Sequence, residues 1–392
     1  MNIEDARLVL NSLHSQVTGQ AGITPTNTAD FVSMATTTLQ AGTDIVFNTL
    51  SQMITKTIIA VRPYEAQFTG LELTSDEWGA IVRKISFADR EAPESIPFDP
   101  AKIAEGQTVD MYTIRKPDVL EMRFYGSDAY DDYYTTYEVQ LKPAFESEGA
   151  FSAFVSGLIT SISNKWTQWA ENMKRMTLLN HIGSRTAEAT AGRNTECVVH
   201  LIAEYNAETG LNLTKADILK PDNVGNFFRW TRAKINTIAR EMGARSEKFH
   251  TKVQGKHIMR QTKPQDMRIY MLAGILDKID MMVNTTTYHN EPLALADVEG
   301  VTYWQAIDNP DEIQVTPSYI AANGTVATAA AQTLTDVAGI LFDRDAMGVN
   351  FYEDSIHTTP LNAAGLYWNT FLHRRARYFN DMTENSVVLM LD

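Results

Sequence analysis

The chain has 392 residues, 44% hydrophobic, 21% charged and 9% aromatic, which suits two or three packed units and excludes a wholly disordered chain. Its net charge of −14 argues against a sequence-independent nucleic-acid binder, because phosphate affinity comes from counterions released at Lys and Arg contacts. An acidic lining is nevertheless compatible with enclosing DNA, since it repels packed phosphates, and acidity also serves plain solubility.

Residues 1–20 read as a short amphipathic helix, with Ile3, Ala6, Leu8, Leu10 and Leu13 among polar positions. The start, Met1-Asn2-Ile3-Glu4-Asp5, lacks the basic and apolar regions of a signal peptide. A Thr/Asn/Gly/Pro-rich linker, Gly19 to Asn27, leads to a second helical stretch over 28–60 that carries Leu39, Ile45, Leu50 and Ile54. About fifty residues therefore precede the first strong core signal, as a long N-terminal extension. Between about 66 and 140, Pro93, Pro97, Pro100 and Pro117 break any long helix. Strand-like runs at Ala80–Phe87 and Val119–Tyr125 flank them and predict a long β-hairpin, marginal in water without a partner surface.

The strongest helix signal follows Ser147, a fitting N-cap. Phe151, Val155, Leu158, Ile162, Trp166, Trp169, Met173 and Met176 recur at three-to-four spacing, and Gly183 supplies a stop. Some 35 residues of helix make a spine of about 50 Å. Residues 184–222 read as irregular at first, with helices again at 224–242 and at 265–283, the latter opened by Thr262 and Pro264. Residues 298–316 and 334–342 predict short strands, and Ala321–Thr333 a loop. Tyr367–Phe379, a polar turn at Asn380–Asn385 and Val387–Leu391 predict a terminal β-hairpin. The class is α+β, with no fixed-period repeat. No apolar run reaches the ~18–20 residues of a membrane helix.

Chemistry-bearing motifs are absent: there is no phosphate-cradling glycine loop, no His-Glu-x-x-His and no Gly-x-Ser-x-Gly. No catalytic, cofactor or metal residue is assigned. His250 and His257 are not spaced for one helix face, so they do not read as metal ligands. Cys197, before Val198-Val199, reads as a small buried residue, and a lone cysteine rules out an intrachain disulfide. Asp128, Asp131 and Asp132 sit in the aromatic block Tyr125 to Tyr137. They fit a cation or acid-pair site less well than an exposed loop whose tyrosines, Tyr125, Tyr133 and Tyr134 among them, pack on a neighbour. Asp343-Arg344-Asp345 reads as a strand-end turn with a local ion pair. Arg374, Arg375 and Arg377 could bind nucleic acid, form a solvated face or bridge to acidic residues of an adjacent subunit; a strand puts Arg375 and Arg377 on one side and Arg374 on the other.

The order of elements resembles the Hong Kong 97-type capsid fold of tailed bacteriophages: N-arm, E-loop hairpin, long spine helix, A-domain and P-domain. The segments Tyr137-Glu-Val-Gln-Leu-Lys-Pro-Ala-Phe145, Ala150-Phe-Ser-Ala-Phe-Val155 and Pro360-Leu-Asn-Ala-Ala-Gly-Leu-Tyr-Trp-Asn369 are similar to major capsid proteins of small podophages with protein-primed DNA replication. The resemblance implies an N-arm leading into the P-domain at 1–65, an E-loop at 66–140, and P-domain at 141–224 with the spine at 148–182. An A-domain at 225–350 and terminal P-domain strands at 351–392 complete it. It further implies a non-enzymatic shell subunit that forms pentamers and hexamers, without cofactors and without a membrane. Its partners would be other copies, a scaffolding protein and a portal protein, and the shell would enclose double-stranded DNA without sequence-specific contacts. Assembly would occur in the bacterial host cytoplasm and end in the virion capsid. No lysine–asparagine crosslinking pair is identified, and the chain's end at Asp392 reads as a shell fold without the immunoglobulin-like domain some relatives add. An encapsulin-like nanocompartment shell is the alternative, disfavoured by the long N-terminal extension; an enzyme with an unrecognised site is a second.

Overall fold

The computed structural model describes residues 3–42 apart from 21 and 23, together with 45–46, 49–50, 67–73, 82–89, 101, 104–106, 112, 114, 116–139, 144–284 and 297–392. Helix α1 (Ile3–Thr18) buries Ala6, Leu10 and Leu13, spaced to share one face, and leaves Ile3 and Leu8 exposed. Helix α2 (Thr28–Gln40) begins at Asn27, whose side chain accepts a 2.9 Å hydrogen bond from Asp30 N–H. Of the stretch predicted as helix beyond Gln40, Ile45 is exposed and Leu50 buried, while Ile54 lies outside the described residues.

Strands β1 (Val82–Phe87) and β2 (Val119–Phe124) pair antiparallel, Val82 against Phe124 and Phe87 against Val119, as the predicted hairpin requires. Residues 127–137 are not a loop but strand β3 (Ser127–Tyr137). Its Tyr and Thr side chains favour a pleated surface, and three aspartates obscured that signal.

Helix α3 (Glu148–Thr190) is 43 residues long, about 65 Å. Ser147 caps it as predicted, accepting from Ala150 N–H at 3.1 Å. The predicted stop at Gly183 is wrong. Gly183 lies inside the helix because the chain just after it in space passes very close: an added Cβ would overlap Val315 Cγ1 and sit 3.3 Å from Pro317 Cβ. The stop comes at Gly192, whose φ of +73 disfavours any residue with a Cβ.

Residues 191–284 are correspondingly more regular than expected. Strand β4 (Val198–His200) runs into α4 (Leu201–Thr209), followed by α5 (Lys215–Ile218) and α6 (Pro221–Gly243). The helix predicted over 265–283 divides into strand β5 (Met267–Leu272) and helix α7 (Ala273–Asn284). Met-Arg-Ile-Tyr-Met-Leu is a short apolar run, which periodicity alone cannot assign to helix or buried strand. Then come β6 (Asp297–Val301), β7 (Ile313–Val315), β8 (Ser318–Ile320), β9 (Val326–Thr328) and β10 (Gln332–Leu334). The last two replace part of the predicted 321–333 loop. The chain closes with β11 (Val337–Asp343), β12 (Met347–Thr358), β13 (Tyr367–Asn380) and β14 (Ser386–Met390).

The terminal hairpin is also a correction. β13 pairs with β12 on one side and β3 on the other, forming a three-stranded antiparallel sheet. β14 instead enters a five-stranded sheet of order β4-β14-β11-β5-β6, parallel to β4 and antiparallel to β11. Residues 381–385 are thus a crossover between sheets, and two apolar strands joined by a short polar segment had the local signature of a hairpin.

Two cores result. The larger surrounds the five-stranded sheet and takes in Leu178, Leu179 and Ile182 of α3. The smaller joins α1, α2 and the inner face of β13 to Phe151, Val155, Ile162 and Trp166 of α3. Phe31 meets Phe151 edge-on at 5.9 Å, and Arg7 pairs with Glu148 at 2.8 Å. The N-terminal helices therefore pack on the long helix of their own chain. Replacing Gly183 by valine should lower the stability of the unassembled subunit by about 1–3 kcal/mol in urea unfolding, even though helix propensity alone favours valine, because overpacking against β7 dominates.

Candidate intersubunit surfaces and the buried polar hub

The pleat of the three-stranded sheet sorts the residues singled out in the sequence. On its inner face, Trp368, Leu372 and Ala376 of β13 are buried, and Tyr130 stacks on Trp169 at 5.3 Å. Tyr134 packs into the same smaller core. Arg374 also turns inward, lying 4.3 Å over the Phe351 ring and 3.0 Å from Asp354. Burial raises the Asp354 carboxyl above its ordinary pKa, against the pull of Arg374. Tyr134 and Arg374 thus both pack within the chain on this face.

Tyr125, 64% exposed, lies in the connection between β2 and β3, outside the sheet. The outer face carries the others: Tyr133, 61% exposed, lies beside Phe371 with ring centroids 5.7 Å apart. Arg375 pairs with Glu353 at 3.1 Å and its side chain is 57% exposed. Arg377 sits 4.0 Å over Tyr352. Asp131, Glu353, His357, His373 and Arg375 line a shallow concavity of about 330 Å³. Adjacent positions on β3 face opposite ways, so Asp131 borders this concavity while Asp132 pairs with Lys165 at 2.6 Å. They do not converge as an acid pair.

The remaining candidates have structural partners. Cys197 is buried and its thiol is pushed up to about 11, chiefly by burial, so it is no thiolate nucleophile at neutral pH. Asp343 accepts from Asp345 N–H at 2.8 Å in the turn before β12, and Arg344 lies 3.7 Å from Asp266. His250 is buried, whereas His257 is exposed beside Glu247 at 3.3 Å. Among the described residues no group of three His, Cys, Asp or Glu side chains could hold a metal, and no helix is long and apolar enough to cross a membrane.

What sequence reasoning missed lies inside. Arg185, fully buried on α3, uses all five of its N–H donors. Nε donates to Ser386 Oγ (2.6 Å), Nη1 to Thr251 Oγ1 (3.0 Å) and Glu188 Oε2 (3.3 Å), and Nη2 to the carbonyls of Met382 (2.9 Å) and Glu384 (2.7 Å). Glu188 is held in turn by Thr251 Oγ1 at 2.8 Å and Asn194 Nδ2 at 2.6 Å. His181, one turn earlier, shares Ser386 Oγ at 2.8 Å; burial, with the Arg185 charge adding to it, drives its pKa well below the usual value. The crossover is bound from its other side by the hairpin. Lys84 of β1 reaches Asp381 at 3.0 Å and Glu384 at 2.6 Å, and these carboxylates outweigh the burial of the ammonium to raise its pKa. Arg260 adds Glu384 at 3.1 Å, Thr383 O at 2.8 Å and Ser86 Oγ at 2.8 Å. Asp-x-Thr-Glu-Asn-Ser over 381–386 looked like a solvated turn, and no local pattern distinguishes a polar segment that is buried.

A family model for the Phi29-like phage major capsid protein matches residues 8–390. The chain belongs to this family. Among solved structures, a chain of the Staphylococcus phage Andhra capsid is similar at a TM-score of 0.50 and 11% identity, covering 85% of this chain and 86% of that one. A chain in the structure of the head fiber and inner core protein gp22 of native bacteriophage P68 gives 0.55 at 11% identity, covering 83% and 85%. No curated protein matches. The fold is the Hong Kong 97-type capsid fold, and this phage major capsid protein is a structural subunit of the virion shell that self-assembles around DNA. The nanocompartment reading is not favoured.

Two stability predictions follow from the hub of the capsid subunit. Arg185→Met should cost about 3–5 kcal/mol in chemical unfolding, since it strands a buried carboxylate and two carbonyls, and Arg185→Lys should recover little, lacking the five-donor fork. The second concerns acid. Burial, with the charges of Arg185 and Arg260 adding to it, lowers the His250 imidazole to about 4 from its ordinary 6.5. The unfolded chain therefore binds this proton first as pH falls. Stability fully present above pH 6.5 should be lost by about 3 kcal/mol as pH falls toward 4, and His181 acts in the same direction. Glu384, raised by burial, works with the opposite sign. Urea midpoints of the unassembled subunit at pH 7 and pH 4.5 measure the loss, and equal midpoints would refute it.

Proposed function

We propose that the subunit acts without catalysis, as one of many copies forming pentamers and hexamers of an icosahedral or prolate capsid. In this reading it assembles in the bacterial host cytoplasm with a scaffolding protein, around a portal protein at one vertex, and the shell holds double-stranded DNA without base-specific contacts. The net charge of −14 supports the last point, since a surplus of acid gives packed phosphates little to adhere to. Residues 1–65 serve as N-arm, 66–140 as E-loop, 141–224 as P-domain with the spine, 225–350 as A-domain and 351–392 as terminal strands. The pairing of β14 with β11 favours counting 386–390 with the A-domain.

The observation that carries the reading is the contrast between closed cores and an exposed, polar-aromatic sheet face. Tyr125, Tyr133, Arg375 and Arg377 are the contacts we assign to neighbouring subunits, being aromatic and arginine groups of the kind enriched at interfaces. Arg375→Ala combined with Tyr133→Ser should lower the urea-unfolding stability of the lone subunit by no more than about 1 kcal/mol, since an exposed ion pair and a half-exposed ring contact contribute little. The same variant should reduce shells counted by negative-stain electron microscopy at least tenfold. Wild-type yields of normal shells would remove these residues from the interface.

A further inference from the structure

An apolar concavity of about 360 Å³ opens between α6, α7 and the neighbouring end of the five-stranded sheet. Phe228, Leu272 and Ile275 supply its buried walls, Leu219 its exposed lip, and Lys278 its basic rim. Beside it stands the loop joining β6 to β7, whose tip presents Ile307 at 70% exposure. That loop is rigidly built. Trp304 is fully buried, with Nε1 donating to Val337 O at 2.7 Å and its backbone N–H to Pro310 O at 2.9 Å, and Ala306 bridges to Asn309 above it. Pro310 and Asp311 of the same loop form part of the concavity's rim. The loop is therefore pinned at its base as one wall of the concavity, and Ile307 at the tip stays in water instead of filling it.

The geometry points to a head-to-tail contact in which Ile307 of one copy of this chain enters the concavity of the next. Two observations select a second copy as occupant. An exposed aliphatic knob and an aliphatic socket that none of the described residues fills, set on one surface, are satisfied by a rotated neighbour, and repetition of such a heterologous contact closes a ring. The charges also fit: Asp311 and Asp336 on the socket rim are already paired with Lys215, whereas Lys278, 5.9 Å over the Phe228 ring, makes no ion pair among the described residues and is left to meet Asp308 beside the knob. The inference rests on the shell reading and assigns one ring contact within it.

The test uses shells of the full chain carrying Ile307→Cys together with Leu219→Cys; the native Cys197 is buried and does not interfere. Mild oxidation should give a ladder of disulfide-linked subunits on a non-reducing gel, while either single variant should stay monomeric, because a head-to-tail contact never brings two 307 positions together. Normal shells that give only monomer, or dimers from Ile307→Cys alone, would overturn the contact while leaving the shell reading intact. Should the double variant fail to assemble, charge reversal decides. Asp308→Lys should lower shell yield about tenfold, and adding Lys278→Asp should restore it, whereas loss without restoration would overturn the contact. Absence of shells from the wild-type chain in its phage head would instead strike at the shell reading itself.

Discussion

The structure turns on the burial of one guanidinium. Arg185 has no access to water, so its charge and five donors must be met inside the subunit, and that requirement fixes three pieces of chain at once: α3, the 249–251 segment and the 381–386 crossover. A lysine could not do this, since its three donors carry no planar fork. Partial satisfaction would be worse than an apolar core, because each stranded partner would keep its desolvation cost. The crossover in turn places β13 and β14 in their separate sheets, so the relation between the two cores follows from this network and from the helix that runs through both.

Lys84 and Arg260 extend the same logic outward. Asp381 is fully buried and Glu384 nearly so, and their cations come from the base of the hairpin and from the segment after α6. The hairpin is thus anchored at its base by buried charge, whereas its strands expose Ile85, Phe87 and Val119. Fixed roots with exposed apolar surface suit an element whose remaining burial comes from another subunit.

Local order was legible wherever side chains repeat with one period. The spine could be read from Phe151 to Met176, its cap from Ser147, and the hairpin from two alternating runs. Sequence failed where tertiary contact decides. Gly183 reads as a stop until Val315 and Pro317 are seen to press on it, and 386–390 reads as the return strand of a hairpin until it is found beside Val337 and Val198. The candidate surface divided for a similar reason. Alternation correctly separated Arg374 from Arg375 and Arg377, but which side faced Trp166 depended on a helix about two hundred residues away in sequence.

The position of β14 has a consequence in time. It lies between β4 and β11, so the larger sheet cannot become continuous until residues 386–390 have left the ribosome. A nascent or truncated chain lacking them exposes the flanks of both neighbours and lacks Ser386 beneath Arg185. The larger lobe is therefore finished late: chains interrupted before Met390 lack its second-to-edge strand and cannot present the completed sheet.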